Sequence, residues 1–229
     1  TFHAPFQWDD KYTFLVENPI VKDLDYFVEP SSAEGLKLYE ALKRRYIGYL
    51  SFALNYRLHG HEVTGYHIVN LMVHISNAFL VFLFVSLTFR TPFLANSRLK
   101  DSAGHIALFT GLLFVSHPVQ TEAVTYIFQR FESMMTLFFF ISVVFYIKWR
   151  LNIAEDGVRG LWPRRGSGRS PGVLLYCASL LSAVLAMKTK ENAFILPFVI
   201  SLYEFSFFTG KIKRRIITLV PFFLALLVI

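Results

Sequence analysis

Cysteine is almost absent. Cys177, in LLYCASLLSAVLAM, is the only one in the chain. That excludes a disulfide framework and a Cys-based metal site within this sequence. A Gly-rich phosphate loop and a Ser-His-Asp signature are also missing, so nothing points to a nucleotide-consuming enzyme or a serine hydrolase. Acidic residues are the minority, 16 against 23 Lys and Arg, and the formal charge is +7. The basic residues lie between apolar runs rather than on one soluble face, which excludes nucleic acid as the partner. No internal repeat is visible.

What the chain has in plenty is apolar and aromatic surface. Of 229 residues, 54% are hydrophobic, 25 are Phe, and the mean hydropathy is +0.45. A soluble domain averages about 45–50% apolar residues. The excess gathers in runs separated by short basic loops, which is a membrane pattern. Two regions follow. Residues 1–65 are polar and mixed and form an outer loop with short amphipathic helices. Residues 66–229 form a transmembrane bundle, with spans expected at 66–89, 104–116, 131–149, 172–187, 192–208 and 216–229. The expected fold is an all-α polytopic membrane helix bundle. The chain opens on Thr1 and stops inside IITLVPFFLALLVI, so further segments are expected on both sides.

Local signals refine the first region. Asn-Pro at 18–19 is expected to end a short helix over 11–17. Ser31 and Glu34 have capping-box spacing ahead of one amphipathic helix that carries KLYEALKRRYIGYLSFALNY near the membrane surface. Orientation comes from charge. The loops 90–103, 150–171 and 209–215, with Lys148, hold about 13 Lys and Arg, against Arg130, Lys188 and Lys190 in the loops 117–130 and 188–191. The positive-inside rule makes the first set cytoplasmic. The unusual polar clusters FQWDD, KRRYIGY, HPVQTEAV with Arg130, and KTKE then share the outer face, as groups of one site do.

Each cluster has two readings. Asp9 and Asp10 can cap a helix, but a cap needs one Asp. A pair can act as general base on a hydroxyl or ligate a divalent ion. Arg130 can lie near lipid headgroups, or hold a phosphate by two parallel hydrogen bonds. The turn KTKEN can snorkel or neutralise a lipid phosphate. His67, Asn70, His74 and Asn77 share one helix face, and interhelical hydrogen bonding is preferred over a metal site.

The order FQWDD…ENPIV, RRYIGYLSFALNYRLHGHEVTGYHIVNLMVH, LFVSHPVQTEAVTYIFQR and KTKENAFILPFVISLYE resembles the transmembrane-and-tetratricopeptide-repeat proteins. These are glycosyltransferases of the GT-C class, which includes protein O-mannosyltransferases. The likeness runs from about residue 6 to about 208, and the wording TYIFQR is similar to bacterial members. It differs in having Arg45-Tyr46-Ile47 where relatives often show Tyr-Arg-Pro, and Thr189-Lys190-Glu191 where many show Ser-Lys-Glu. The resemblance implies transfer of a sugar, mannose in the best-known case, from a polyprenyl-phosphate donor to an acceptor hydroxyl on a protein or glycan. It implies catalytic carboxylates at Asp9 and Asp10, which would also hold a divalent metal ion if one is used. Donor-phosphate binding falls to Arg130, Lys190 and Arg45, and orientation of the site to His117, Glu122 and Glu191. It implies a membrane-lipid environment, in a bacterial inner membrane with a periplasmic site or in the endoplasmic reticulum membrane, with a tetratricopeptide-repeat region after the bundle. The rival readings are a lipid-linked sugar transporter, which favours midplane polar groups and repeated halves, and a non-catalytic scaffold for a repeat domain.

Overall fold

A computed structural model describes residues 4–6, 15–155 and 171–228. Asp9 and Asp10 lie outside the described residues, as do most of the expected 11–17 helix and of the 150–171 loop. Helices make up the fold, with no β-strand among the described residues.

The first region is built from four short helices, α1 (Pro19–Lys22), α2 (Asp25–Val28), α3 (Tyr39–Arg44) and α4 (Tyr46–His59). Asn18-Pro19 starts a helix rather than ending one: Asn18 Oδ1 accepts from the Ile20 N–H at 3.0 Å, and Pro19 takes the first helical position, where its missing N–H costs nothing. The expected capping box does not form. Pro30–Ala33 is a 3-10 turn and Gly35 follows at φ +89°, so the chain turns away before α3 begins. The single amphipathic helix is in fact two, broken at Arg45 (φ −112°, ψ 36°). The break frees the Ile47 N–H to donate to the Lys188 carbonyl at 3.0 Å, and Tyr46 Oη donates to the Phe27 carbonyl. A tertiary contact therefore overrides helical continuity.

The second region contains α5 (Val63–Thr88), α6 (Ala103–Ser116), α7 (Thr121–Thr125), α8 (Arg130–Glu155), α9 (Pro171–Met187), α10 (Leu196–Phe207) and α11 (Ile212–Leu224). By length and composition Val63–Thr88 and Ile127–Ile153 can each cross a membrane. Lys100–Ser116 with Pro118–Thr125 makes a third if the pair, bent by 51°, is one span. Six crossings were expected. Gly172–Met187 is apolar but shorter, and α10 and α11 have 12 and 13 residues, about 18–20 Å of helix at 1.5 Å per residue against a hydrocarbon layer of about 30 Å. The outward faces of these helices are oily: Met72, Ile75 and Phe79 on α5, Phe109 and Leu112 on α6, and Leu202 on α10 are all exposed. Such a patch is stable against lipid and not against water.

Close approach of small residues joins the long helices. Ser142 of α8 and Ser179 of α9 exchange hydrogen bonds, each hydroxyl donating to the other's carbonyl at 2.8 and 2.7 Å. Gly111 of α6 sits against the Ala78 carbonyl of α5.

The two ends of the bundle differ. At one end a buried carboxylate, Glu204 of α10, accepts a two-pronged bond from Arg150 of α8 at 2.8 Å, a bond from Arg215 of α11 at 3.1 Å and one from Tyr146 at 2.9 Å. Fully buried carboxylates survive only when paired in this way. The opposite end carries the sequence-predicted clusters.

Candidate functional site

At that end α4, the start of α5, residues 117–132 and the turn at 188–191 converge. Arg130 opens α8 and is fully buried. Its Nε donates to Asn70 Oδ1 at 2.7 Å, Nη2 to the Tyr66 carbonyl at 3.0 Å and Nη1 to the Ser51 carbonyl at 3.5 Å. The guanidinium stacks over Phe52, 4.5 Å from the ring centre, and Tyr66. A planar fork of donors suits this work, because one side chain reaches α4 and α5 at once.

The polar row on α5 does what its spacing predicts. His67 Nδ1 lies 3.2 Å from the Val124 carbonyl, Asn70 Nδ2 donates to the Ile127 carbonyl, His74 Nε2 lies 3.2 Å from the Val115 carbonyl, and Asn77 Nδ2 donates to the Ser133 carbonyl at 2.9 Å. All four are buried and stitch α5 to the 115–133 stretch. Asn70 also holds Arg130, a pairing 60 residues apart that no local pattern shows.

The N-terminal segment docks here too. The Ala4 carbonyl lies 3.1 Å from His67 Nε2, and Phe6 packs edge-on against Tyr66. Leu15 is buried in the same apolar cluster, with Tyr49, Tyr66, Ile127 and Phe131. The described residues on both sides of FQWDD are therefore fixed to this end of the bundle.

The KTKEN turn supplies two ion pairs. Arg45 Nε donates to Glu191 Oε2 at 2.9 Å, and Lys190 Nζ pairs with Glu132. Burial pushes the Glu191 carboxyl up, but its own backbone N–H and Arg45 outweigh this and hold it below the ordinary value of 4.5. Glycine is required where the turn meets α4. A Cβ on Gly48 would lie 2.3 Å from the Phe131 ring and 3.3 Å from the Thr189 carbonyl.

Beside these pairs is a cavity of about 240 Å³ between α5, α6, α7 and α8. Glu122, Glu132, Asn77, His74, Phe114 and Gln129 form much of its wall. Arg45, Arg130 and Lys190 are not in the wall, and Lys190 reaches it through Glu132. His117 is exposed, and its Nδ1 accepts from the Val119 N–H at 3.2 Å, capping the 118–120 turn. The structure thus brings Glu122, Lys190, Glu191 and Arg45 to one neighbourhood, and gives His117 and Arg130 structural partners. Sequence reasoning missed Glu132, which pairs with Lys190 and lines the cavity. A carboxylate in the first turn of a membrane helix was the available signal for Glu132. Among the described residues no group of three His, Cys, Asp or Glu side chains could hold a metal ion.

The chain is 33% identical over 171 residues to protein O-mannosyl-transferase TMTC2 of Homo sapiens, covering 74% of this chain and 18% of that protein. It is 32% identical over 155 residues to protein O-mannosyl-transferase F38B6.6 of Caenorhabditis elegans, covering 63% and 20%. Over the matched residues the chain is similar to protein O-mannosyl-transferases. Protein O-mannosyl-transferase Tmtc3 of Drosophila melanogaster matches at 34% over 124 residues, covering 51% of this chain and 13% of that protein. The chain spans about a fifth or less of the length of these relatives. No family model and no solved structure matches it.

Proposed function

We propose that this chain is the membrane part of a glycosyltransferase of the GT-C class that moves a sugar from a polyprenyl-phosphate donor to a protein Ser or Thr hydroxyl. The sugar is mannose by analogy with the names of its relatives. The site faces the periplasm or the lumen of the endoplasmic reticulum. One observation carries this reading: the residues flanking Asp9-Asp10, Phe6 and Leu15, pack in one cluster at the bundle end that also holds the Arg45–Glu191 and Lys190–Glu132 pairs.

In the proposed reaction the acceptor oxygen attacks the anomeric carbon. Its proton passes to Asp9 or Asp10, and the other Asp holds the acceptor. The bond from the anomeric carbon to the phosphate oxygen breaks, and polyprenyl phosphate leaves with the electron pair. Lys190 and Arg45 stabilise the negative charge that develops on it, each exchanging its present carboxylate for phosphate. Arg130 holds α4 and α5 in register at the phosphate subsite. Glu122, Glu191 and His117 orient the site. The apolar outer faces take the prenyl chain, whose binding positions the reacting carbon.

The test uses full-length protein in nanodiscs with polyprenyl-phosphate mannose, measuring release of polyprenyl phosphate. Release that rises with an added acceptor and is lost in Asp10→Asn, with membrane insertion intact, is expected. Wild-type turnover in Asp10→Asn removes that residue from the chemistry.

A further inference from the structure

The far end of the bundle carries cations that the fold does not neutralise. Glu204 is fully buried, and its two oxygens are taken by Arg150, Arg215 and Tyr146. The two arginines also hold the turn between α10 and α11. Arg150 Nη2 donates to the Thr209 carbonyl, and Arg215 Nη2 donates to the Glu204 carbonyl. Each guanidinium lies over a ring, Phe208 for Arg150 and Phe205 for Arg215. Gly210 makes the turn at φ +144°, a conformation that favours glycine. The turn is therefore a fixed platform. It displays Lys211, Lys213 and Arg214, all exposed and none with a side-chain partner among the described residues.

Beside these cations lies an oily stripe. Ile216, Ile217, Val220 and Leu224 follow Lys213 at three, four, seven and eleven residues, so they share one face of α11. All four are exposed, whereas Thr218, Leu219 and Phe222 on the other face are buried against the bundle. From Lys213 to Leu224 the helix rises about 16 Å at 1.5 Å per residue, close to half of a hydrocarbon layer of about 30 Å. The stripe has one charged end and the depth of one leaflet.

Charge and shape together select the occupant. A soluble acidic protein or a nucleic acid would answer the cations and leave the stripe uncovered. A zwitterionic lipid would cover the stripe and bring a cation of its own to the platform. An anionic phospholipid does both tasks: its phosphate meets Lys and Arg, and its acyl chain lies along the isoleucines.

We propose that the α10–α11 turn and the outward face of α11 bind an anionic phospholipid from the leaflet at that end. Lys211, Lys213 and Arg214 hold the headgroup phosphate, and the stripe from Ile216 to Leu224 seats one acyl chain. Arg150 and Arg215 act on the site through the turn they hold. The inference goes beyond the transferase reading and does not depend on it.

The experiment counts lipids bound to purified full-length protein in detergent by native mass spectrometry, so membrane orientation plays no part. The probes are dioleoyl phosphatidylglycerol and dioleoyl phosphatidylcholine, with glycerol 3-phosphate as a soluble headgroup. Two double variants remove the same charge. One is Lys213→Gln with Arg214→Gln on the platform, and the other is Arg98→Gln with Lys100→Gln, exposed in the 90–102 loop at the same end. Equal melting of all three proteins without added lipid checks that the surface changes leave the fold intact. Wild type is expected to prefer phosphatidylglycerol. Each cation near an anionic lipid surface is worth about fivefold, so the platform variant should lose about tenfold or more for that lipid alone, and the loop variant less than about twofold. Excess glycerol 3-phosphate should not displace the lipid. Equal losses in the two variants would reduce the effect to net charge and overturn the site. A wild type without headgroup preference overturns it as well. Displacement by glycerol 3-phosphate does the same, because it leaves the stripe without a role.

Discussion

Arg130 shows what a single residue does here. As a sequence letter it is a cation on the less basic side of a membrane protein, which suggested a lipid phosphate. In the fold its fork holds Asn70, the Tyr66 carbonyl and the Ser51 carbonyl, and two rings cover it. Replacing it leaves buried acceptors without a donor, a loss of about 1–3 kcal/mol. Arg130→Met should therefore lower the thermal unfolding midpoint in detergent even with no donor lipid present. Arg130→Lys should recover only part of the loss, since a point charge cannot reproduce the fork. An unchanged midpoint in Arg130→Met would return the residue to direct phosphate binding. The Lys190–Glu132 and Arg45–Glu191 pairs differ in kind. They are partly exposed and can exchange one anion for another, which suits a ligand site better than a core.

At the scale of elements, the junction of α4 with α8 and the KTKEN turn is the most demanding. Gly48 lets the Phe131 ring lie directly on the α4 backbone. Alanine at an ordinary helical glycine gains about 1 kcal/mol in propensity. Here its Cβ would sit 2.3 Å from a ring that is 1% exposed and wedged among Tyr49, Phe52 and Phe128. The ring has nowhere to swing, so overpacking of about 1–3 kcal/mol wins. Gly48→Ala should destabilise the protein in detergent melts and lower donor turnover, since the same junction positions Arg45 and Lys190. The break at Arg45 belongs to this scale as well. The 3.6-residue periodicity of 37–56 was legible, and Leu42, Tyr49 and Ala53 on that face are buried while Leu38, Tyr46 and Leu50 are half-buried. The break was not, because its cause is a carbonyl at residue 188.

For the whole molecule, alternating chain direction puts residues 117–132 and 188–191 at one end of the bundle and residues 90–102 and 209–215 at the other. The basic loops collect at the second end, where Glu204 ties Arg150 to Arg215. The positive-inside rule predicts that this end faces the cytoplasm. A cysteine placed at the exposed Val119 should therefore react with a membrane-impermeant reagent from the outer side, and one at the exposed Leu99 should not, in a Cys177→Ser background. The reverse pattern would invert the orientation and move the candidate site to the cytoplasmic face.

The sequence by itself determined the helical class, the membrane setting and the polar face of α5, because each depends on composition or on the spacing of neighbours along one helix. The order of motifs along the chain suggested letters for a candidate site, but not Glu132, which the fold places beside Lys190. Only the tertiary structure decided what those letters touch. That Arg130 grips Asn70, that Lys190 meets Glu132 and that Glu204 gathers two arginines are pairings between distant segments. No local period encodes them. They follow from which helix ends come together when the long helices pack, and burial then forces each charge and each polar atom to find its partner there.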